Sequence, residues 1–189
     1  PMTRPMQLTR DAFIATTLML LAVGLLMVLS ASITSRPSTS DEVYLTRHFV
    51  FLTFAVTAGV AAALVPPTIW KRVAPWAFFA TVVLLAIVLI PSVGTEVNGA
   101  RRWLRIGPAS LQPSEMAKVT LPLFLCWVID RRRGKYGQIE VAAPPLIPIA
   151  LTVFLVLQEP DLGTSVFLCL SSMICLFVAE WPLWQFVLA

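Results

Sequence analysis

Long apolar runs separated by short charged clusters set the pattern of this chain. The first three runs without a charge cover positions 12–35, 49–70 and 73–95. Two later runs, at positions 141–158 and 162–179, are somewhat shorter. A helix needs about 20 apolar residues to cross a bilayer, and a charge at its centre costs at least about 2.5 kcal/mol. The pattern therefore predicts transmembrane helices.

The stretch after Lys118 is different, because its uncharged run at positions 119–129 is too short to cross a bilayer alone. A fourth span must begin near Gln112 and so include Glu115 and Lys118. The predicted fold is an all-α polytopic membrane protein with about six spans, near 12–33, 49–70, 73–93, 112–129, 142–158 and 161–179.

A further apolar stretch begins at Trp181 and continues to Ala189. A helix of that length does not cross a bilayer, and a chain end inside the membrane would leave backbone groups unpaired. We therefore expect residues 1–189 to be the N-terminal part of a single multi-spanning membrane domain, with an incomplete seventh span from 181.

The distribution of Lys and Arg predicts the orientation of the spans. With the N-terminus in the cytoplasm, eight basic residues lie on the inner side: Arg4, Arg10, Lys71, Arg72, Arg131, Arg132, Arg133 and Lys135. Five lie on the outer side: Arg36, Arg47, Arg101, Arg102 and Arg105. Because basic loops stay preferentially in the cytoplasm, this bias favours a cytoplasmic N-terminus and places the basic loop at 130–137 on the inner side.

Composition agrees with this class and excludes others. Hydrophobic residues make up 58% of the chain and charged residues 13%, against roughly 45–50% and 25% in soluble domains. The net charge of +4 comes from clusters between spans and not from one basic stripe, so a nucleic-acid partner is not indicated. Cys126, Cys169 and Cys175 lie in apolar runs without paired spacing, and neither a disulfide framework nor a zinc site is predicted.

Charged residues on the predicted outer side are the candidates for function. Arg101 and Arg102 lie between spans three and four, where the orientation rule disfavours them; surface solvation or an anionic ligand would each explain them. Glu115 and Lys118 fall inside span four and share a helix face. A first turn after Pro113 with an ion pair is one interpretation, and a water-filled cavity used by substrate is the other.

A second polar place, Glu159 and Asp161, separates spans five and six. Asp161 suits the first turn of a helix, where an acidic side chain is favoured by the helix dipole. The alternative is that both acids face the same outer compartment as the four residues described above. One wet, charged outer cavity would then explain all six side chains.

Three motifs in this part of the chain resemble those of one known family. They are Val-Asn-Gly-Ala-Arg-Arg-Trp at 97–103, Leu-Gln-Pro-Ser-Glu-Met-Ala-Lys at 111–118 and Glu-Pro-Asp-Leu-Gly-Thr at 159–164. Their form and order are similar to the signature of the SEDS family, FtsW and RodA, and the first motif is more like the FtsW branch, which acts in division. Position 159 is Glu where many members of the family have Gln.

The resemblance implies a membrane protein of ten helices and a peptidoglycan glycosyltransferase that polymerises lipid II, an undecaprenyl-diphosphate-linked precursor, outside the bacterial cytoplasmic membrane. It implies a class B penicillin-binding transpeptidase as partner, together with other division proteins. The family's proposed catalytic aspartate lies in an outer loop beyond span seven, so the resemblance implies that residues 1–189 are inactive alone.

Transfer of a sugar from a lipid diphosphate requires a base for the attacking hydroxyl and cations for the departing diphosphate. We assign Arg101, Arg102 and Lys118 to the diphosphate, with Glu115 and Asp161 positioning them or binding a divalent cation, Mg or Mn. The base would come from outside this chain. A lipid-linked precursor flippase and a nonenzymatic division scaffold are the alternative functions.

Overall fold

The computed structural model describes residues 4–34, 41–97, 99–107, 109–132 and 144–180. The chain divides into two compact units, unit 1 at Pro1–Leu64 and unit 2 at Val65–Ala189. Most of the predicted basic loop at 130–137 and the predicted seventh span from 181 lie outside the described residues.

The described residues of unit 1 form two long helices that pack against each other, α1 at Arg4–Thr34 and α2 at Asp41–Leu64. Within α1, the segment Gln7–Ser30 has a mean hydropathy of 2.5, and its most apolar stretch contains no buried residue. An apolar surface of this extent is unfavourable in water. The length and composition of α1 therefore suit a helix that crosses a bilayer.

The boundary between the second and third predicted spans differs from the boundary between the helices. The spans were predicted at 49–70 and 73–93, on the charges of Lys71 and Arg72, whereas α2 ends at Leu64 and α3 covers Pro67–Val88. Pro66 is the N-cap of α3, and Pro67 is the first residue of the helix. Proline lacks the N–H that would continue α2 but suits the first turn of a new helix, so prolines determine this boundary.

The described residues of unit 2 form four helices packed as a bundle, with a small sheet at one end. Helix α3 packs against α4 at Pro113–Arg131, α4 packs against α6 at Leu162–Val178, and α6 packs against α5 at Leu146–Gln158. Side chains from all four helices form the core: Phe78, Leu85, Ala117, Leu121, Leu125, Ile129, Val156, Leu168 and Leu176. The buried hydroxyls of Thr81 and Thr120 lie 3.1 Å apart and join α3 to α4, as polar side chains do between membrane helices.

Helices α5 and α6 have 13 and 17 residues. Among the described residues, only Gln7–Ser30 and Pro67–Val88 combine the length and hydropathy needed to cross a membrane. Helix α5 begins after Pro144 and Pro145 and continues without a break through Pro148. Prolines here could have broken the helix or marked its start, and the structure shows the start. The count of six spans and the cytoplasmic N-terminus stay predictions.

A three-stranded antiparallel sheet lies between α3 and α4, in a region for which no strand was predicted. Strand β1 covers Gly94–Val97, β2 covers Ala100–Ile106 and β3 covers Ala109–Leu111, in the order β1-β2-β3. Val97 pairs with Ala100 across a two-residue connection, in which Gly99 has a φ of 77°. Asn-Gly is a strong signal for such a turn, but counting charges and apolar runs does not detect it. The prediction of a mostly helical fold is confirmed, but the all-α class left out this sheet.

Gly94 provides a test of how the sheet joins the bundle. A Cβ at this position would clash with the Val88 carbonyl oxygen and lie 2.7 Å from Arg101 Cγ. We expect Gly94→Ala to lower the free energy of unfolding by about 2 kcal/mol, because the backbone at the end of α3 must shift. Thermal unfolding of the full-length protein in detergent would measure the change.

The matched control is Gly59→Ala in α2, where an added Cβ meets no atom within 4 Å. Alanine is the better helix former, so this variant should be as stable as the wild type or more stable. Equal unfolding temperatures for the two variants would contradict the close approach at Gly94.

Candidate functional site

The charged residues that the sequence singles out lie at one end of unit 2, which we call the hairpin end. It consists of the sheet, the segment Gln112 to Lys118 at the start of α4, and the turn of residues 159–161 between α5 and α6. Strand β2 contacts both α3 and α4. The hairpin end therefore brings together residues from three separate parts of the sequence.

Arg102 of β2 binds the turn between α5 and α6. Its Nε donates a hydrogen bond of 3.0 Å to the carbonyl oxygen of Glu159, and its Nη2 donates one to the carbonyl oxygen of Pro160. Its Nη1 lies 3.6 Å from Asp161 Oδ2. Three nitrogens of one guanidinium are thus engaged within the protein, and the planar group suits this multiple contact.

Asp161 starts α6 as its N-cap, which confirms the capping interpretation. Its Oδ1 accepts a hydrogen bond of 3.0 Å from the backbone N–H of Thr164, and its Oδ2 accepts one of 3.0 Å from the Thr164 hydroxyl. An N-cap carboxylate satisfies amide groups that have no partner within the helix, and its charge is favoured by the helix dipole. Gln112 Nε2, next to the first turn of α4, lies 3.5 Å from the same Oδ2.

Glu159 is the most deeply buried acid of the site, with 0% of its surface exposed. Neither oxygen of its carboxyl group has a hydrogen-bond partner within the described part of the chain. Burial in this turn raises the pKa of Glu159 from 4.5 to about 7; the nearby Ser114 side chain and the Arg102 charge oppose the rise, while the Asp161 carboxylate adds to it. Taking a carboxylate out of water favours its neutral form.

Arg101, the neighbour of Arg102 on β2, has different contacts. Its Nη2 lies 3.0 Å from Glu96 Oε2, and this carboxylate belongs to β1, where Glu96 is paired with Arg101 in the strand register. The Glu96 side chain is 54% exposed. Arg101 Nε is buried, and no hydrogen-bond acceptor for it occurs among the residues described.

Glu115 and Lys118 lie in the first turns of α4 and form the predicted ion pair, with 2.6 Å between Lys118 Nζ and Glu115 Oε1. Pro113 is at the start of the helix and Glu115 is in its first turn, as predicted. The Lys118 ammonium also lies 5.6 Å from the centre of the Phe167 ring of α6. The Glu115 side chain is 56% exposed, so the ion pair is open to solvent on its acidic side.

The structure therefore brings together only some of the predicted site residues. Arg102 and Asp161 are in contact, whereas Arg101 and Lys118 belong to two separate ion pairs. Gln112 and Ser114 were not predicted as part of the site, yet Gln112 Nε2 donates a 2.9 Å hydrogen bond to Ser114 Oγ and approaches Asp161. Both lie in the motif at 111–118, which was the available signal.

The two acids predicted to bind a divalent cation, Glu115 and Asp161, already have partners within the protein. Both oxygens of Asp161 accept hydrogen bonds, and Glu115 is paired with Lys118. Within the described ranges, no group of three or more His, Cys, Asp or Glu side chains could hold a metal ion. Within the described residues, Glu115 and Asp161 therefore have no third such ligand near them, and the divalent cation stays a prediction.

Fold and site together define a helical membrane protein with an ion-paired polar site at one end of a bundle. The chain belongs to the FtsW/RodA/SpoVE family of cell cycle proteins, whose model matches residues 10–189. The probable peptidoglycan glycosyltransferase FtsW of Aromatoleum aromaticum is 41% identical over 153 residues, 78% of this chain and 37% of that protein. The one of Coxiella burnetii is 36% identical over 180 residues, 93% of this chain and 48% of that protein.

Solved structures agree with the family. The rod shape determining protein RodA of Thermus thermophilus matches with a TM-score of 0.67 and 28% identity, over 84% of this chain and 54% of that one. A second match is a chain from a peptidoglycan synthase complex whose structure was described as coordinating polymerization and crosslinking. The TM-score is 0.68 and the identity 29%, over 87% of this chain and 49% of that one. The chain thus spans about half the length of the relatives it matches, or less.

Arg102→Ala should lower the free energy of unfolding of the full-length protein by about 2 kcal/mol, because the carbonyl oxygens of Glu159 and Pro160 would lose a charged donor. Arg105→Ala is the control, since Arg105 lies on the same strand and is exposed; its effect should stay within about 0.5 kcal/mol. Equal stability of the two variants, measured by thermal unfolding in detergent, would show that Arg102 does not hold the turn.

Glu159→Gln tests the buried carboxyl through its pH dependence. Because the pKa of Glu159 is about 7 when folded and 4.5 ordinarily, the folded protein binds more protons between these values, and its stability falls as pH rises through them. The Gln variant lacks this loss. It should match the wild type near pH 4.5 and exceed it above pH 7, by at most about 3 kcal/mol.

Thermal unfolding of both proteins at pH 5 and pH 8 would measure this difference. Glu180→Gln, which replaces an exposed acid of unit 2, is the control. A gain in stability that is the same at both pH values would exclude ionisation of Glu159 as the cause.

Proposed function

We propose that the whole protein is a peptidoglycan glycosyltransferase that polymerises lipid II during bacterial cell division. The observation that carries the proposal is the presence of three ion pairs at the hairpin end, Arg101–Glu96, Arg102–Asp161 and Lys118–Glu115. Family membership and relatives named probable peptidoglycan glycosyltransferase FtsW support the reaction. The form of the motif at 97–103 supports the division branch.

The reaction joins two lipid-linked saccharides. A sugar hydroxyl attacks the anomeric carbon of the second lipid-linked sugar, a new C–O bond forms, and the bond from that carbon to the lipid diphosphate breaks. The hydroxyl proton passes to a base, which we assign to the part of the protein outside this chain. The diphosphate leaves with its negative charge, and cations at the hairpin end stabilise that charge as it develops.

The contacts favour Arg101 and Lys118 as the cations that meet the diphosphate. Each is paired with a glutamate whose side chain is more than half exposed, and exposed ion pairs contribute little stability, about 0–1 kcal/mol. A diphosphate carries more negative charge than a glutamate and can displace it. Arg102, whose guanidinium holds the turn, would act as a positioning residue together with Asp161.

The proposed setting is the bacterial cytoplasmic membrane, with multiple spans, the N-terminus in the cytoplasm and the hairpin end on the outer side. The proposed partners are lipid II, a class B penicillin-binding transpeptidase and other division proteins. The likeness to a chain of a peptidoglycan synthase complex supports a transpeptidase partner. We expect residues 1–189 to be inactive alone, because the base is assigned elsewhere.

A divalent cation, Mg or Mn, stays a prediction about the whole protein. If Glu115 or Asp161 binds one, the other ligands must come from outside the described residues, because those residues provide no set of three. No step of the reaction described above depends on this ion.

Arg101→Ala or Lys118→Ala in the full-length protein should reduce lipid II polymerisation at least about 100-fold, as removal of a group that stabilises transition-state charge does elsewhere. The assay follows glycan strands made from purified lipid II in the presence of the transpeptidase. Arg105→Ala, an exposed arginine on the same strand, is the matched control and should retain wild-type activity.

The Arg101→Ala and Lys118→Ala variants should keep the unfolding temperature of the wild type. The ion pairs that they remove have a glutamate that is more than half exposed, and such pairs contribute little stability. Polymerisation at wild-type rates by both variants would refute the assignment of the cations. Transfer of the precursor between leaflets without polymer would instead support a flippase, and partner binding without either activity would support a scaffold.

A further inference from the structure

The opposite end of unit 2, which we call the basic end, has a second set of cations. It contains the start of α3, the end of α4 and the start of α5, with Lys71, Arg72, Arg131 and Arg132 in described positions. Helix α4 has 19 residues, so its two ends are roughly 28 Å apart at 1.5 Å per residue. The basic end is therefore separate from the site proposed for the diphosphate.

Stacked rings lead from the bundle core to this end. The rings of Phe78 and Phe124 lie 4.4 Å apart at 12°, and those of Phe124 and Trp127 lie 5.4 Å apart at 24°. The guanidinium of Arg131 lies 4.5 Å from the centre of the Trp127 ring. We call these three rings the aromatic stack; a cation over its last ring is held by the electron-rich face.

The aromatic stack lines two cavities. One, of about 830 Å³, is also lined by Arg72, Trp76 and Phe79. The other, of about 760 Å³, is also lined by Arg132, Pro148 and Leu151. Arg131 lines both cavities, and each is within the roughly 300–1,000 Å³ typical of small-molecule sites.

Three cationic side chains line the first cavity, and its lining among the described residues includes no acidic one. Lys71 is paired with Asp130 at 2.9 Å, but neither Arg72 nor Arg131 has an ion pair with any carboxylate in the part of the chain that the structure describes. Two guanidinium groups therefore line one cavity whose other walls are largely aromatic. Guanidinium groups bind phosphate oxygens in a bidentate geometry.

We propose that the first cavity binds an anionic phospholipid, with the lipid phosphate between Arg72 and Arg131 and an acyl chain along Trp76 and Phe79. These two aromatic side chains are 75% and 66% exposed, and they continue from the cations towards the middle of α3. The cavity thus has a cationic mouth followed by an exposed apolar wall. Basic pockets between membrane helices bind anionic headgroups for this reason.

The position along α3 fits the depth of a lipid. Trp70 precedes Lys71 in the chain and the Trp127 ring contacts Arg131, and tryptophan is enriched at the level of the headgroups in membrane proteins. Phe79 is seven residues beyond Arg72, roughly 10 Å deeper at 1.5 Å per residue. A free phosphate ion would use only the mouth, whereas a phospholipid would also cover the apolar wall.

Native mass spectrometry of the full-length protein in detergent, titrated with dioleoylphosphatidylglycerol or dioleoylphosphatidylcholine, tests the proposal. We expect the wild type to bind one phosphatidylglycerol more tightly than phosphatidylcholine. Arg72→Gln/Arg131→Gln should weaken phosphatidylglycerol binding by about 30-fold, since each basic side chain contributes about fivefold towards an anionic lipid. The double variant should bind phosphatidylcholine as the wild type does.

Two further variants separate the parts of the site. Arg10→Gln removes an exposed cation that is paired with Asp11 in unit 1, and it should leave phosphatidylglycerol binding unchanged. Phe79→Ala, at an exposed aromatic wall, should weaken binding of the dioleoyl lipid several-fold while the unfolding temperature stays the same.

Equal binding of phosphatidylglycerol by the wild type and the double variant would overturn the proposal, as would equal affinity of the wild type for the two lipids. Displacement of the lipid by millimolar inorganic phosphate would also contradict it, because the apolar wall would then contribute nothing. The proposal would also be contradicted if the wild type formed a dimer and the double variant did not, because a second copy of the chain would then occupy the cavity. None of these readouts depends on polymerisation of lipid II.

Discussion

The contact of the Arg102 guanidinium with the turn between α5 and α6 is the interaction on which the hairpin end depends. One side chain from β2 donates to two carbonyl oxygens at the end of α5 and lies beside the carboxylate that caps α6. Carbonyl groups at a helix end have no partner within the helix, and they need one where water is scarce. The sheet, the end of one helix and the start of the next are therefore joined by a single charged group.

This arrangement separates a cation that is held by main-chain groups from cations that are paired with exposed side chains. Arg102 is engaged by main-chain groups that cannot leave, whereas Arg101 and Lys118 are paired with exposed glutamates that can rotate into water. In the turn that Arg102 contacts, the uncharged form of Glu159 is favoured by burial. A neutral acid there has both a hydrogen-bond donor and an acceptor, and it spares the site an unpaired negative charge.

The two ends of unit 2 present cations in different surroundings. At the hairpin end the cations are balanced by acids, and an anion that enters must replace a carboxylate. At the basic end Arg72 and Arg131 border an apolar wall, where the complementary molecule has both a phosphate and a hydrocarbon chain. Between the ends the core of the bundle is mainly apolar, and the hydroxyls of Thr81 and Thr120 are bonded to each other across the helices. The two proposed anion sites therefore lie at opposite ends of the same helices and do not share side chains.

The sequence by itself determined the features that depend on neighbouring residues: the apolar helices, the start of α4 at Pro113, the Glu115–Lys118 pair and the cap at Asp161. Spacing of three residues brings side chains together within one helical turn, whatever the rest of the chain does. Tertiary structure decided the difference between Arg101 and Arg102, because neighbours on a strand point to opposite faces and the strand was not predicted. It also decided the contact between Arg102 and Glu159, which are 57 residues apart, and the burial of that carboxyl. These depend on packing between elements, which no local pattern specifies.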